Sequence, residues 1–135
     1  MDLATNLPGL ANFAIYFGIA VLLLVIFAFL YAQVTPYSEF ALIAEGNQAA
    51  AYSLTGALIG FALPLASAIS HSVSLADMVL WGLVALLVQI ITFLVVRLIF
   101  PRIVADIPAN KMSKGIFLGA VSIAVGILNA ACMTY

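Results

Sequence analysis

Residues 47–70 read NQAAAYSLTGALIGFALPLASAIS, and residues 110–133 read NKMSKGIFLGAVSIAVGILNAACM. A helix crosses a hydrocarbon core of ~30 Å with about 20 mainly apolar residues, so each stretch is long enough to span. The first contains no Asp, Glu, Lys or Arg, and the second carries only Lys111 and Lys114, both near its start. Two more windows of this kind accompany them. One lies inside the uncharged run 3–38 and is best placed at 10–33; the other runs from about 75 to 100. The chain therefore reads as an all-α integral membrane protein of four transmembrane helices, with residues 1–135 forming one membrane domain.

Composition agrees with that reading. The chain is 67% hydrophobic and 7% charged, with a mean hydropathy of +1.30. Soluble domains are roughly 45–50% apolar and ~25% charged. The four spans leave only short tails and connections, in which no soluble domain fits. No Lys or Arg precedes Arg97, and the first apolar segment exceeds a signal-peptide core, so the first span is expected to remain in the mature protein. A net charge of −1 offers no basic surface for phosphate neutralisation, which sets nucleic-acid binding aside.

All four cations, Arg97, Arg102, Lys111 and Lys114, cluster around the third connection. Short positively charged loops stay in the cytoplasm, so the third connection is expected there. The first connection, two spans away, is expected on the same side, and both termini outside. The basic group can also hold anionic lipid headgroups. Arg97, near the end of its span, is best read as an interfacial anchor with a snorkelling side chain rather than as part of a substrate path.

Shifting the chain by 63 residues superposes Asn47 on Asn110 and Gly56-Ala57 on Gly119-Ala120. Two tandem two-helix units follow, at about 10–70 and 75–135, with the same orientation in the membrane. Parallel repeats of this kind are related by a pseudo-two-fold along the membrane normal. Asn47 and Asn110 are expected to cap the second and fourth spans through their side-chain oxygens. Ser74 followed by Asp77 has the form of a capping box for the third span.

The second span carries a stripe of small residues: Ala49, Ser53, Gly56, Gly60 and Ser67, with Pro64 placed to kink it. The fourth has Gly115, Gly119, Ser122, Gly126 and Asn129. In lipid, small residues let helix backbones approach, which makes these the packing helices. The stripes serve either packing inside one protomer or contacts between subunits of an oligomer. Bulky residues at 21–30 and Leu80, Leu83, Leu86 and Leu87 are expected to face lipid. Gln89, Thr92, Tyr52, Thr55 and Asn129 are read as interhelical hydrogen-bonding groups.

No phosphate loop, hydrolase elbow or catalytic carboxylate pair is present in the sequence, and an enzyme is not expected. His71, Asp77, Cys132 and Met133 fall near the outer face but lack the spacing of a metal site, so no metal or other cofactor is expected. The one cysteine excludes an internal disulfide. In the first connection, acidic Glu39 and Glu45 are expected to oppose the basic third connection across the pseudo-axis, and Ile103, Val104 and Ile107 to rest in the membrane interface.

The ordered set Thr35-Pro36, Asn47-Gln48-Ala49-Ala50, Gly56-x-x-x-Gly60-x-x-x-Pro64-Leu65, Trp81-Gly82, Gln89, Arg97, Pro101 and Asn129-Ala130-Ala131-Cys132-Met133 resembles the YjfL-like bacterial inner-membrane proteins, the domain of unknown function 350 family. That resemblance implies a tandem two-helix protein of the bacterial cytoplasmic membrane, and it carries over no catalytic residue. The sequence favours a non-enzymatic scaffold or accessory subunit, packed through its second and fourth spans into a homo-oligomer or membrane complex. The alternative is a small oligomeric channel or a lipid or solute conduit.

Overall fold

A computed structural model describes residues 3–135 and contains six helices. They are α1 (Leu3–Val34), α2 (Glu39–Ala44), α3 (Gln48–His71), α4 (Leu75–Ile99), α5 (Ile103–Asp106) and α6 (Met112–Cys132). Helices α1, α3, α4 and α6 are each long and apolar enough to span, so the chain is an all-α membrane protein. Helix α1 begins well before residue 10 and runs through Pro8.

The most and the least apolar of the four spans are also the least and the most buried. The most apolar window, in α1, has 11% of its residues buried, whereas the least apolar, in α3, has 50%. In lipid this is the expected order: bulky apolar side chains face acyl chains, while helices with small and polar residues pack inside. Helix α3 is the centre of the bundle, with α6 and α4 against it and α1 outermost. Aromatic rings join α1 to the centre. Phe27 stacks on Phe61 at 4.6 Å, and Tyr31 meets the edge of Phe93 at 5.7 Å.

Helices α3 and α6 run parallel, because Ala49, Gly56 and Gly60 lie against Gly115, Gly119 and Gly126 in ascending order on both helices. A Cβ on Gly56 would fall on the backbone of Gly119, one on Gly115 on that of Ala49, and one on Gly126 on that of Gly60. The carbonyl of Gly60 has no N–H four residues on, since Pro64 stands there, and Gly126 packs directly against it. Pro64 itself is fully buried.

The two connections that contain α2 and α5 fold alike. In the first, Leu42 N–H donates to Ser38 O, Glu45 N–H to Ala41 O, Gly46 N–H to Ile43 O and Asn47 N–H to Leu42 O. In the second, Asp106 N–H donates to Arg102 O, Ala109 N–H to Ala105 O, Asn110 N–H to Ile107 O and Lys111 N–H to Asp106 O. Every donor and acceptor recurs 64 residues later, which places Gly46 opposite Asn110 and Asn47 opposite Lys111. Gly46 and Asn110 both have positive φ, 90° and 60°, at the turn into the next helix. Asn tolerates that conformation better than other residues with a Cβ.

This geometry corrects three expectations. Asn110 is not the N-cap of α6; that position belongs to Lys111, one residue later, because Asn110 provides the left-handed turn. Ile103 and Ile107 are fully buried rather than resting in the interface, since α5 turns them into the core. Glu39 is also fully buried, so it is no exposed partner for the basic connection.

Candidate functional site

Three groups of polar residues stand out against the apolar bundle. The first gathers around the start of α3. An α-helix begins with four N–H groups that lack intrahelical partners. Here each has one: Asn47 N–H donates to Leu42 O, Gln48 and Ala49 N–H donate to Asn110 Oδ1 at 2.9 and 3.0 Å, and Ala50 N–H donates to Asn47 Oδ1 at 2.8 Å. Asn47 also donates through Nδ2 to the carbonyls of Ile107 and Pro108. The two asparagines thus tie the α5 connection to the start of α3, a long-range role that capping by sequence position did not foresee.

The second group lies between helices α3, α4 and α6. Gln89 on α4 is fully buried and donates to Ser122 O of α6 at 3.0 Å. A Cβ on Gly60 would strike both the Gln89 amide nitrogen and the Ser122 carbonyl, so the missing side chain at Gly60 is what admits this bond. Ser53 is buried and donates to Ala50 O within its own helix, and Thr92 donates to Val88 O. Thr92 therefore makes an intrahelical bond in place of the interhelical one expected. Tyr52 and Thr55 are exposed, and the buried Asn129 Nδ2 has no hydrogen-bond partner.

The third group surrounds Glu39, the first residue of α2, and the sequence reading missed it. Both Glu39 carboxylate oxygens and the hydroxyls of Tyr31 and Tyr37 are buried without a hydrogen-bond partner. The Thr35 hydroxyl is directed to the carbonyls of Ala32 and Tyr37, at 3.2 and 3.1 Å. Burial pushes the Glu39 carboxyl above the usual range; the nearby Thr35 hydroxyl and the Glu39 peptide group oppose this and do not overcome it. The Tyr37 phenol is raised as well, first by burial, then by the Glu39 charge, with Arg97 opposing.

The cations occupy separate places. Arg97 and Arg102 are exposed. Lys111 pairs with Asp106 at 3.4 Å, and Lys114 stands 4.5 Å over the ring of Phe100. At the opposite end of the bundle, Ser74 Oγ accepts from Asp77 N–H, and Asp77 Oδ2 accepts from Val73 N–H at 3.4 Å. The capping box is thus displaced by one residue, the acid serving Val73 rather than Ser74. His71 is stacked on Tyr135, whose hydroxyl donates to Ser67 Oγ at 2.9 Å, and Cys132 is exposed. No group of three or more His, Cys, Asp or Glu residues suited to a metal ion occurs among the described residues.

The family profile described as Domain of Unknown Function (DUF350) matches residues 2–133. The UPF0719 inner membrane protein YjfL of Escherichia coli (strain K12) is 40% identical over 129 residues, which is 96% of this chain and 98% of that protein. The protein of that name in strain O157:H7 gives the same figures. The UPF0719 transmembrane protein YshE of Bacillus subtilis (strain 168) is 29% identical over 118 residues, 87% of this chain and 88% of that protein. No solved structure matches the chain.

Proposed function

The chain belongs to the DUF350 family, and from that premise and the geometry we propose that it is a non-enzymatic scaffold or accessory subunit of a bacterial inner-membrane complex. The observation that carries this reading is the contrast between the α3–α6 seam and α1. The close-packing glycines are used within one protomer, where they make a rigid pair. Helix α1, attached mainly through Leu23, Phe27 and Tyr31, keeps a long apolar face open for neighbouring helices or lipid. The outer side of the seam, a shallow groove with Tyr52, Thr55, Gly56, Gly119 and Ala120, gives α3 and α6 a second surface on which another copy of this chain can pack.

In this reading the two halves are tandem repeats, supported by the four matched backbone hydrogen bonds of their connections. The N- and C-termini face outward, and the end bearing α2 and α5 faces the cytoplasm, where Arg97, Arg102 and Lys114 meet anionic headgroups.

Native mass spectrometry of the protein extracted with its surrounding lipid, combined with photocrosslinking from Phe17 and Val25 on α1, tests the proposal. A homo-oligomer or a stoichiometric second protein is expected, crosslinked through α1. A strictly monomeric protein that crosslinks only to lipid would end the scaffold reading. Ion conductance in sealed vesicles would replace it with an oligomeric conduit.

A further inference from the structure

Helices α4 and α6 meet through two contacts. Gln89 donates to Ser122 O at 3.0 Å, and Phe100 meets the edge of Phe117 with ring centroids 5.4 Å apart. The later α4 residue meets the earlier α6 residue, so the two helices run antiparallel. Beside these contacts lies a groove lined on α4 by Val88, Ile91, Val95 and Ile99 and on α6 by Val121 and Val125, with Phe117 at the end near α5. The α4 positions recur at three- and four-residue spacing and so share one face of the helix. From Val88 to Ile99 that face covers about 16 Å, close to half of a ~30 Å hydrocarbon core. Val88 stands near the middle of α4, so the groove runs from the membrane centre to the interface, the depth of one leaflet.

The lining decides what can fill it. Every lining side chain is Val, Ile or Phe except Thr92, whose hydroxyl donates to Val88 O at 2.7 Å within α4. Helices that associate in lipid do so over small residues, such as the Gly56, Gly119 and Ala120 of the groove outside the α3–α6 seam. The α4–α6 groove has none, so its walls keep a second helix's backbone at a distance, whereas an acyl chain needs no backbone approach. The α5 end supplies a charge. Lys114 Nζ stands 4.5 Å over the Phe100 ring, and Phe100 packs on Phe117 of the groove. Lys111 is paired with Asp106, but no carboxylate pairs with Lys114 among the described residues. The ring attracts the ammonium through its face and leaves N–H donors for phosphate oxygens.

We propose that the α4–α6 groove binds one anionic phospholipid of the leaflet on the α5 side, with an acyl chain along α4 from Ile99 to Val88 and the headgroup phosphate held by Lys114. The site rests on the reading above only in placing Lys114 at a membrane interface; it requires no oligomer and no partner protein.

The test is photolabelling of the full chain in nanodiscs of phosphatidylcholine with a trace of phosphatidylglycerol that carries a diazirine near the end of one acyl chain. Label is expected on α4 and α6 peptides around Val88, Ile91 and Val125. A few per cent of unlabelled phosphatidylglycerol should compete it away while label on α1 persists. Lys114→Gln should raise the phosphatidylglycerol needed for half-competition about fivefold, the effect of one cation near an anionic surface, and Lys111→Gln should leave it unchanged. Val95→Trp fills the groove and should remove the competable label, whereas Leu87→Trp, at an exposed α4 position outside the groove, should not. Label spread over α1 and α4 alike without competition would overturn the site. Equal weakening by Lys114→Gln and Lys111→Gln would overturn it too, since that is general surface attraction. Displacement by inorganic phosphate at matching concentration would reduce it to a headgroup contact and overturn the groove. Should Val95→Trp fail to fold, the native protein still decides, because missing competable label on the groove peptides overturns the site without any variant. A monomer in native mass spectrometry would end the scaffold reading and leave this label unchanged.

Discussion

Asn110 caps a helix to which it does not belong, its side-chain oxygen accepting the backbone N–H of Gln48 at 2.9 Å across 62 residues of sequence. That bond, with its companion from Ala49, ties the α5 connection to the first turn of α3. Asn110 does this from a positive φ of 60°, so one residue supplies both the turn and the cap.

Those two contributions can be separated. Asn110→Gly keeps the turn and loses the cap, and should destabilise by about 1 kcal/mol, the usual size of a capping loss. Asn110→Ala loses the cap and also strains the left-handed position, adding roughly 1–2 kcal/mol. Unfolding titrations in mixed micelles should rank the native protein above Asn110→Gly and Asn110→Ala last. Equal stability of the two variants would show that the turn costs Ala nothing.

The α3–α6 seam should be intolerant of a single added methyl. Gly56→Ala, Gly115→Ala and Gly126→Ala each place a Cβ on facing backbone, with an expected cost of about 1–3 kcal/mol for overpacking. Gly18→Ala on α1 is the control, since no atom stands within 4 Å of its Cβ position. It should be neutral or slightly stabilising because Ala favours the helix. The same unfolding titrations check both.

The exposed Cys132, the one cysteine of the chain, reports orientation without engineering. With the C-terminus outside, a membrane-impermeant maleimide should label it in intact spheroplasts. A Cys132→Ser variant with a cysteine at Ser38 should label only after lysis. The reverse pattern would invert the proposed topology.

Glu39 should make stability fall as pH rises. Its carboxyl is raised in the folded protein, so the folded state holds the proton more tightly than the unfolded chain. That advantage is full below the ordinary glutamate pKa of ~4.3 and is lost progressively as pH climbs through the higher folded value. The native protein should lose stability over that window, and Glu39→Gln should not. Parallel pH profiles of the two proteins would remove Glu39 as the cause.

The sequence by itself determined the class of the protein, because membrane spanning is a property of local composition. Windows of about 20 apolar residues with charges only at their ends placed all four spans to within a few residues, apart from the early start of α1. The small-residue stripes of the second and fourth spans are legible in the same way, since close backbone approach in lipid, as between Gly56 and Gly119, requires residues without a bulky side chain. What faces what was left to the tertiary structure. Asn110 looks like a local cap when judged by position, and only the proximity of the two connections turns its oxygen to α3. Glu39 looks like one more loop carboxylate, and Ile103 and Ile107 like interfacial residues, until the short helices α2 and α5 turn them inward. A few residues of helix between two turns carry no resolvable period, so their buried side is chosen by long-range packing rather than by any pattern in the chain.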